Sequence, residues 1–189
     1  MKLALRLARY GFYVLTILMT LIFLRLFMFQ IIIIQGNSML PTLRNGSIVL
    51  VYKRNFPQKT SFSDQVFVLG QLSIRRFDLV LFDPGDGKYL IKRVIGLPGD
   101  FYAFRNEQVL IDHLPLEESY ILKQSKKPFR PVPMKANEPA SYFLSSEGRI
   151  PPGYYLLLGD NRKHSYDSRD LGLIPEESLR GKVVYHIRY

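Results

Sequence analysis

The chain has 189 residues, of which 47% are hydrophobic, and this length suffices for one domain with its own core. Its formal net charge is +10, but residues 1–35 hold four basic and no acidic residues and the remaining excess is thinly spread, which favours anionic lipid over nucleic acid as a partner. Because it has no cysteine and only three histidines without metal-ligand spacing, disulfides, thiolate metal sites and a cysteine nucleophile are excluded, and no metal or other cofactor is expected.

The first predicted element is an apolar helix over residues 7–24, about 27 Å long, which nearly crosses a bilayer core. Lys2, Arg6 and Arg9 lie on its amino-terminal side, which orients that end toward the cytoplasm and the rest of the chain toward the outer face of the cytoplasmic membrane. Residues 1–26 are therefore expected to form a cytoplasmic amino terminus and a single transmembrane anchor. A cleaved secretory signal is disfavoured because no small-residue cleavage site follows, and a buried helix of a soluble protein is disfavoured because a polar face is nearly absent.

Residues 27–189 have a different sequence pattern, with short segments rich in β-branched and aromatic residues that are separated by turn signals such as Asn45-Gly46 and Pro98-Gly99. This pattern predicts a mainly β domain. The predicted strands are residues 30–35, 47–52, 78–82, 89–96, 107–111, 154–159 and 182–187. Residues 113–153 hold seven of the twelve prolines and are expected to form a surface excursion, and residues 53–76 a second irregular connection.

The stretch "GNSMLPT", residues 36–42, places a serine just after the first predicted strand. A serine becomes a useful nucleophile only when a base takes its proton and donors stabilise the oxyanion that forms. Ser38 lies in a turn whose backbone amides could serve as such donors. Taken alone, a serine in such a turn is usually an ordinary turn residue.

A candidate base lies in "YLIKRVIGLPGD", where Lys92 and Arg93 interrupt an apolar strand. Alternation along a strand sends the two side chains to opposite faces, so one of them is expected to face the interior. A lysine among aliphatic side chains loses solvation of its charged form, which lowers its pKa and makes it a better base. The alternative is an edge strand on which both cations reach water.

The third notable stretch, "GDNRKHSYDSRDLG" at residues 159–172, follows a strongly apolar strand. It is more polar than a simple solvated turn requires, and paired acids and arginines with interleaved serines are typical of the shell that supports a functional site. The polar residues concerned are Asp160, Asn161, Arg162, Ser165, Asp167, Ser168, Arg169 and Asp170.

Together, "SMLPTL", "YLIKRVIGLPGD" and "GDNRKHSYDSRDLGLIP" resemble, in order and character, the motifs of type I signal peptidases, which are membrane-bound Ser-Lys proteases. The strand "DLVLF" resembles a further family motif, and the resemblance covers most of residues 1–187 apart from the proline-rich excursion. It implies that Ser38 is the nucleophile and Lys92 the general base. The supporting residues it implies are Ser165, which orients the lysine, the ion pair of Asp167 with Arg169, and the structurally important Asp160 and Arg93. The residues implied to shape the nucleophile turn and the oxyanion region are Gly36, Asn37, Met39 and Pro41.

The resemblance further implies a β-rich catalytic domain of antiparallel sheets and a substrate class, exported preproteins with small side chains at the first and third positions before the cut. The substrate would bind extended alongside a strand, at the lipid surface and without a cofactor. A specialised processing protease of a conjugation or pilus system is an alternative within this class. The chain departs from common family patterns at Gly36, where many members carry a serine, at Phe77, where the usual residue is glycine, and at Lys163-His164.

Three readings from other classes compete with this one. His164 lies beside Ser165 and suggests a Ser-His-Asp triad. A histidine base in a polar loop, however, accounts for fewer of the motif residues than a lysine base on an apolar strand does. A self-cleaving repressor with a related Ser-Lys site would need a helix-turn-helix where this chain has its apolar segment. A non-enzymatic, membrane-anchored β-domain adaptor leaves the three motifs together unexplained.

Overall fold

A computed structural model of the chain describes residues 2–53, 74–85, 87–105, 107–121 and 144–187. The chain begins with helix α1 (Lys2–Phe23), which includes Arg6 and Arg9 and runs through a π-helical turn, Leu24–Met28, into strand β1 (Phe29–Ile33). Among the described residues, no helix combines the length and the apolar character needed to cross a membrane. The spanning anchor expected over residues 7–24 is therefore not supported, although a helix is present there.

The remaining described strands follow in chain order: β2 (Ile48–Tyr52), β3 (Leu79–Phe82), β4 (Leu90–Gly96), β5 (Phe101–Arg105), β6 (Gln108–Ile111), β7 (Leu114–Pro115), β8 (Glu147–Arg149), β9 (Tyr154–Leu158), β10 (Ile174–Pro175) and β11 (Leu179–Ile187). They form a seven-stranded sheet in the order β1-β2-β11-β3-β4-β9-β10 and a four-stranded sheet in the order β7-β6-β5-β8. Every described pairing is antiparallel, which confirms the predicted fold class of a mainly β domain of antiparallel sheets.

All seven predicted strands have a counterpart, with ends that differ by up to three residues. The sequence did not reveal β5, β7, β8 and β10, and three of these four are only two or three residues long, too short to show periodicity. Two of them, β7 and β8, lie at the ends of the proline-rich range 113–153, so these ends join the four-stranded sheet. Residues 122–143 of that range, and residues 54–73 of the second predicted connection, lie outside the described residues.

Three buried apolar clusters form the described core. The first packs the four-stranded sheet against β9, the second lies around β3, β9 and β11, and the third lies beneath the segment that follows β1. The third cluster positions the site, because it includes Met39 and Leu43 together with Val49 and Val51 of β2. Burying such side chains contributes about 1.5–3 kcal/mol each, so the segment after β1 is held firmly against the sheet.

Candidate active site

The turn that carries Ser38 is fixed at both ends by hydrogen bonds. The Ile34 amide donates to the Ser47 carbonyl at 2.9 Å, and the Gly36 amide donates to the Asn45 side-chain oxygen at 2.9 Å. Gly36 has a φ of 94°, a left-handed conformation that glycine adopts without the steric cost paid by other residues. Its amide is thus engaged within the turn and is not aimed at a substrate.

Hydrophobic anchors follow Ser38 immediately. Met39 is 2% exposed and Leu43 is fully buried, and the Leu43 amide donates to the Met39 carbonyl at 2.8 Å. Pro41, between them, follows a cis peptide bond. Since both anchors belong to the core cluster beneath the turn, Ser38 sits on a rigid support.

Lys92 lies in the middle of β4, a strand that is buried over nearly its whole length and pairs with β3 and β9. The Lys92 Nζ is 2.8 Å from the Ser38 Oγ, and the lysine side chain is among the most buried in the described chain, at 2% exposure. Burial lowers the pKa of Lys92 to about 8, although the charges of Asp167 and Asp160 act in the opposite direction. A substantial neutral fraction near neutral pH gives this amine the capacity to take a proton from Ser38.

Arg93, the next residue, is also buried, at 9% exposure, so both cations of the strand avoid water rather than only one. Its guanidinium donates to both carboxylate oxygens of Asp160, at 2.8 and 2.6 Å, and to the Phe77 carbonyl at 2.9 Å. Thr42 completes this clamp, since its hydroxyl donates to Asp160 and accepts from Arg93 at 3.0 Å. The bidentate pair ties β4 to the loop after β9, and Thr42 joins the Ser38 turn to both residues of the pair.

A second buried ion pair joins Asp167 to Arg169, with two charge-assisted hydrogen bonds of 2.8 Å. Asp167 also caps the short helix α2 (Ser168–Leu171) and accepts the Gly159 amide at 2.9 Å. Although burial alone would raise the pKa of Asp167, the bonds to Arg169 and Gly159 outweigh it and lower the pKa, so this carboxylate stays ionised near Lys92.

Ser165 and His164 do not occupy equivalent positions. Ser165 is 5% exposed, and its Oγ has no hydrogen-bond partner among the described residues, so the expected contact with the lysine is not made in this state. His164 is exposed and lies in a three-residue 3-10 helix, Arg162–His164. The base within hydrogen-bonding distance of Ser38 is Lys92, which disfavours the histidine triad.

Asn161, which the sequence placed only in the polar cluster, and Gly159, which it did not single out, both lie against the Ser38 segment. The Asn161 amide donates to the Ser38 carbonyl at 3.0 Å, and the Asn161 side chain donates to the Asn37 carbonyl at 3.0 Å. A Cβ built on Gly159 would lie 2.1 Å from the Ser165 Oγ and 2.7 Å from the Ser38 carbonyl oxygen. Glycine is thus required by close packing, and only its place at the end of an apolar strand hinted at this.

Ser38 and Lys92 face a cleft between the end of β1 and the start of β4. The apolar residues that line it include Ile32, Ile34, Met39, Leu81 and Leu90. In the part of the chain that the structure describes, no three acidic or histidine side chains are grouped so as to hold a metal ion.

A buried amine in contact with a hydroxyl, on an antiparallel β domain beside an apolar cleft, is an arrangement suited to acyl transfer with a lysine base. The chain thus combines an antiparallel β fold with a serine–lysine contact of a kind that a hydrolase can use. Residues 7–187 match the protein family described as "Signal peptidase, peptidase S26", and the chain belongs to this family. It is a serine peptidase that removes signal peptides. This function excludes the hypotheses of a non-enzymatic adaptor and of a self-cleaving repressor.

Named relatives agree with this membership. The chain is 32% identical over 163 residues to a signal peptidase I from Bacillus caldolyticus, which covers 85% of this chain and 80% of the relative. It is 30% identical over 198 residues to a signal peptidase I from Streptococcus pneumoniae serotype 4, covering 92% and 89% of the two chains. A crystal structure of a signal peptidase I from Enterococcus faecalis V583 is 29% identical, with a TM-score of 0.45, and covers 60% of this chain and 98% of that one.

Proposed function

We propose that the chain cleaves preproteins by acyl transfer, with Ser38 as the nucleophile and Lys92 as the general base. The observation that carries this proposal is the 2.8 Å contact between the Lys92 Nζ and the Ser38 Oγ at a lysine that is 2% exposed. A solvated lysine would hold its proton at neutral pH, whereas the buried one has a pKa of about 8.

Neutral Lys92 takes the Ser38 proton while the Oγ attacks the scissile carbonyl carbon. As the carbon–nitrogen bond breaks, the lysine returns that proton to the departing amine, which becomes the amino terminus of the mature protein. Lys92 then takes a proton from water, the hydroxide attacks the ester on Ser38, and the proton goes back to the serine oxygen. Every proton is returned, so the cycle needs no cofactor.

The oxyanion donor that we propose is the Ser38 amide. Another candidate donor of the turn, the Gly36 amide, is already engaged, because it donates to the Asn45 side-chain oxygen. An oxyanion site built on the nucleophile's own amide needs the turn to be rigid, and the buried anchors Met39 and Leu43 supply that rigidity.

The substrate, we propose, lies extended along the free edge at the start of β4. Residues Leu90 to Lys92 pair with β3 on one side, whereas the pairing with β9 on the other side begins only at Arg93. The unpaired edge can therefore add a strand next to Ser38 and Lys92, with main-chain hydrogen bonds supplying affinity. The apolar walls of the cleft suit the small side chains expected before the cut.

A membrane location is also proposed, with residues 1–26 as the attachment and residues 27–189 as the catalytic domain on the outer face. The described side chains of α1 from Tyr10 to Phe23 are exposed and mostly apolar. One face of the sheet adds a second exposed apolar patch, because the exposed residues Ile31 and Ile33 of β1 and Tyr185 and Ile187 of β11 align across β2. Such a surface suits a lipid interface, where signal peptides emerge.

The test is cleavage of a purified preprotein in detergent by the parent, Ser38→Ala and Lys92→Ala, followed by sequencing of the new amino terminus. Both variants should lose cleavage while keeping the parent's thermal unfolding curve. Lys182→Ala is a matched control, because Lys182 is a strand lysine whose described ion pair is with Asp78, at 2.7 Å, rather than a contact with Ser38. Substantial cleavage by either site variant would refute the assignment. Fractionation with protease protection of intact cells tests the membrane location separately.

A further inference from the structure

The segment after β7 carries a buried charge that none of the three motifs contains. Glu118 forms an ion pair with Arg162, and the two side chains are only 7% and 6% exposed. The Arg162 guanidinium donates to both carboxylate oxygens of Glu118. A buried ion pair is tolerated only if the remaining polar groups of both residues also have hydrogen-bond partners. In this protein those groups bond to other residues.

Tyr120 links this pair to the Arg93 clamp. Its hydroxyl donates to Glu118 at 2.7 Å, while its ring lies 4.1 Å from the guanidinium carbon of Arg93. Burial and the neighbouring carboxylate of Glu118 raise the pKa of Tyr120, so the hydroxyl remains a donor. Tyr120 thus contacts Arg93 on β4 and also Glu118. Glu118 in turn is the ion-pair partner of the second cation, Arg162.

The two arginines hold consecutive residues of the loop after β9. Arg162 donates from its Nε to the Gly159 carbonyl at 3.0 Å, and Arg93 holds the Asp160 carboxylate from the other side. The backbone amide of the next residue, Asn161, donates a hydrogen bond to the Ser38 carbonyl. The backbone of residues 159–161 is therefore the surface against which the nucleophile rests.

Phe77 provides an independent observation at the same place. It adopts a φ of 73°, a conformation unfavourable for a residue with a side chain, and its ring packs edge-on against Tyr120 at 5.7 Å. Its carbonyl accepts from Arg93 at 2.9 Å. Backbone strain of this kind persists only where surrounding contacts enforce it, and the contacts here converge on Tyr120 and Arg93.

We infer that Glu118 and Tyr120 are positioning residues for the peptidase reaction, which hold residues 159–161 against Ser38 through Arg162 and Arg93. They touch neither the reacting hydroxyl nor the amine, and they act by fixing the two guanidinium groups. This inference rests on the proposed roles of Ser38 and Lys92. Because a small misplacement of a nucleophile slows chemistry more than it weakens binding, their loss affects kcat rather than KM.

The test compares Tyr120→Leu and Tyr120→Phe with the parent, using kcat, KM and the rate at which a serine-directed acylating inhibitor labels Ser38. Tyr120→Leu removes both contacts and is expected to lower kcat and the labelling rate about tenfold, with KM within about twofold. Tyr120→Phe keeps the ring over Arg93, loses only the hydroxyl, and is expected to fold and to show a smaller loss of about threefold. Glu118→Gln should lower kcat as Tyr120→Leu does.

Tyr102→Leu is the matched control, because Tyr102 is a buried tyrosine of β5 that packs in the first core cluster and contacts Ser145. It should lower the unfolding temperature without lowering the labelling rate of the folded enzyme. A graded loss from Phe to Leu at position 120 that the control does not show supports the inference. An unchanged kcat in Tyr120→Phe together with Glu118→Gln, or a loss that only follows the unfolded fraction, overturns it. Failure of the parent to be labelled at Ser38 overturns the proposed function instead.

Discussion

The pKa of Lys92 makes a quantitative prediction about the pH dependence of cleavage. With a pKa of about 8, the neutral fraction of the lysine is about 90% at pH 9 and about 1% at pH 6. Because only neutral Lys92 can take the Ser38 proton, kcat/KM should fall about 90-fold over this range, tenfold per unit below pH 7, and level off above pH 8 to 9. A lysine with an ordinary pKa of about 10.4 would show no plateau below pH 10.

The lowered pKa of Lys92 affects stability and activity over different pH ranges. The folded-state pKa of Lys92 lies below its unfolded value, so between these two values the unfolded chain binds the extra proton and stability rises with pH. The destabilisation, about 3 kcal/mol, develops as the pH falls from about 10 to about 8 and is complete below that. From pH 8 to pH 6, titration of Lys92 therefore changes activity but not stability.

The assay is the initial rate of cleavage of a preprotein at limiting substrate between pH 5.5 and 10, with circular dichroism at each pH to confirm that the chain is folded. His164→Gln should leave the profile unchanged, because that side chain is exposed while Lys92 contacts Ser38. The reasoning is refuted by a rate that stays flat down to pH 6, by one that keeps rising tenfold per unit through pH 10, or by a profile that moves in His164→Gln.

Three further predictions concern the supporting residues. Gly159→Ala forces a methyl group into occupied space and should lower kcat at least about 100-fold, whereas Gly11→Ala, with no atom within 4 Å of the new Cβ, should leave the rate unchanged. Asp167→Asn removes one partner of a buried ion pair and should lower the free energy of unfolding, measured by urea titration, by about 3–5 kcal/mol. The control Glu147→Gln, in an exposed ion pair, should lower it by less than about 1 kcal/mol. Equal losses in the two variants would contradict the burial of the Asp167 pair. Ser165→Ala removes a buried hydroxyl without a described partner, so stability should stay within about 1 kcal/mol of the parent, and a fall in kcat alone would show that this hydroxyl orients Lys92 during the reaction.

Much of the fold followed from local sequence because its strands are long enough to show their pattern. Strands such as β2 and β4 are runs of β-branched and aliphatic residues bounded by turn signals, and both were predicted within a residue or two. The two-residue strands β7 and β10 were not predicted, because their pairing is decided by neighbours distant in sequence and not by their own residues.

The sequence by itself determined which chemistry is available: a serine in a glycine-containing turn, a lysine on an apolar strand and a cluster of acids and arginines. It could not determine that Lys92 and Arg93 are both buried, since strand alternation predicts only opposite faces, and burial on each face depends on the layers that cover it. Only the tertiary structure brought residues 54 positions apart to 2.8 Å and placed Glu118 against Arg162 and Tyr120 against Arg93. The physical reason is that a pKa shift requires desolvation, and desolvation is a property of the packed chain rather than of any segment within it.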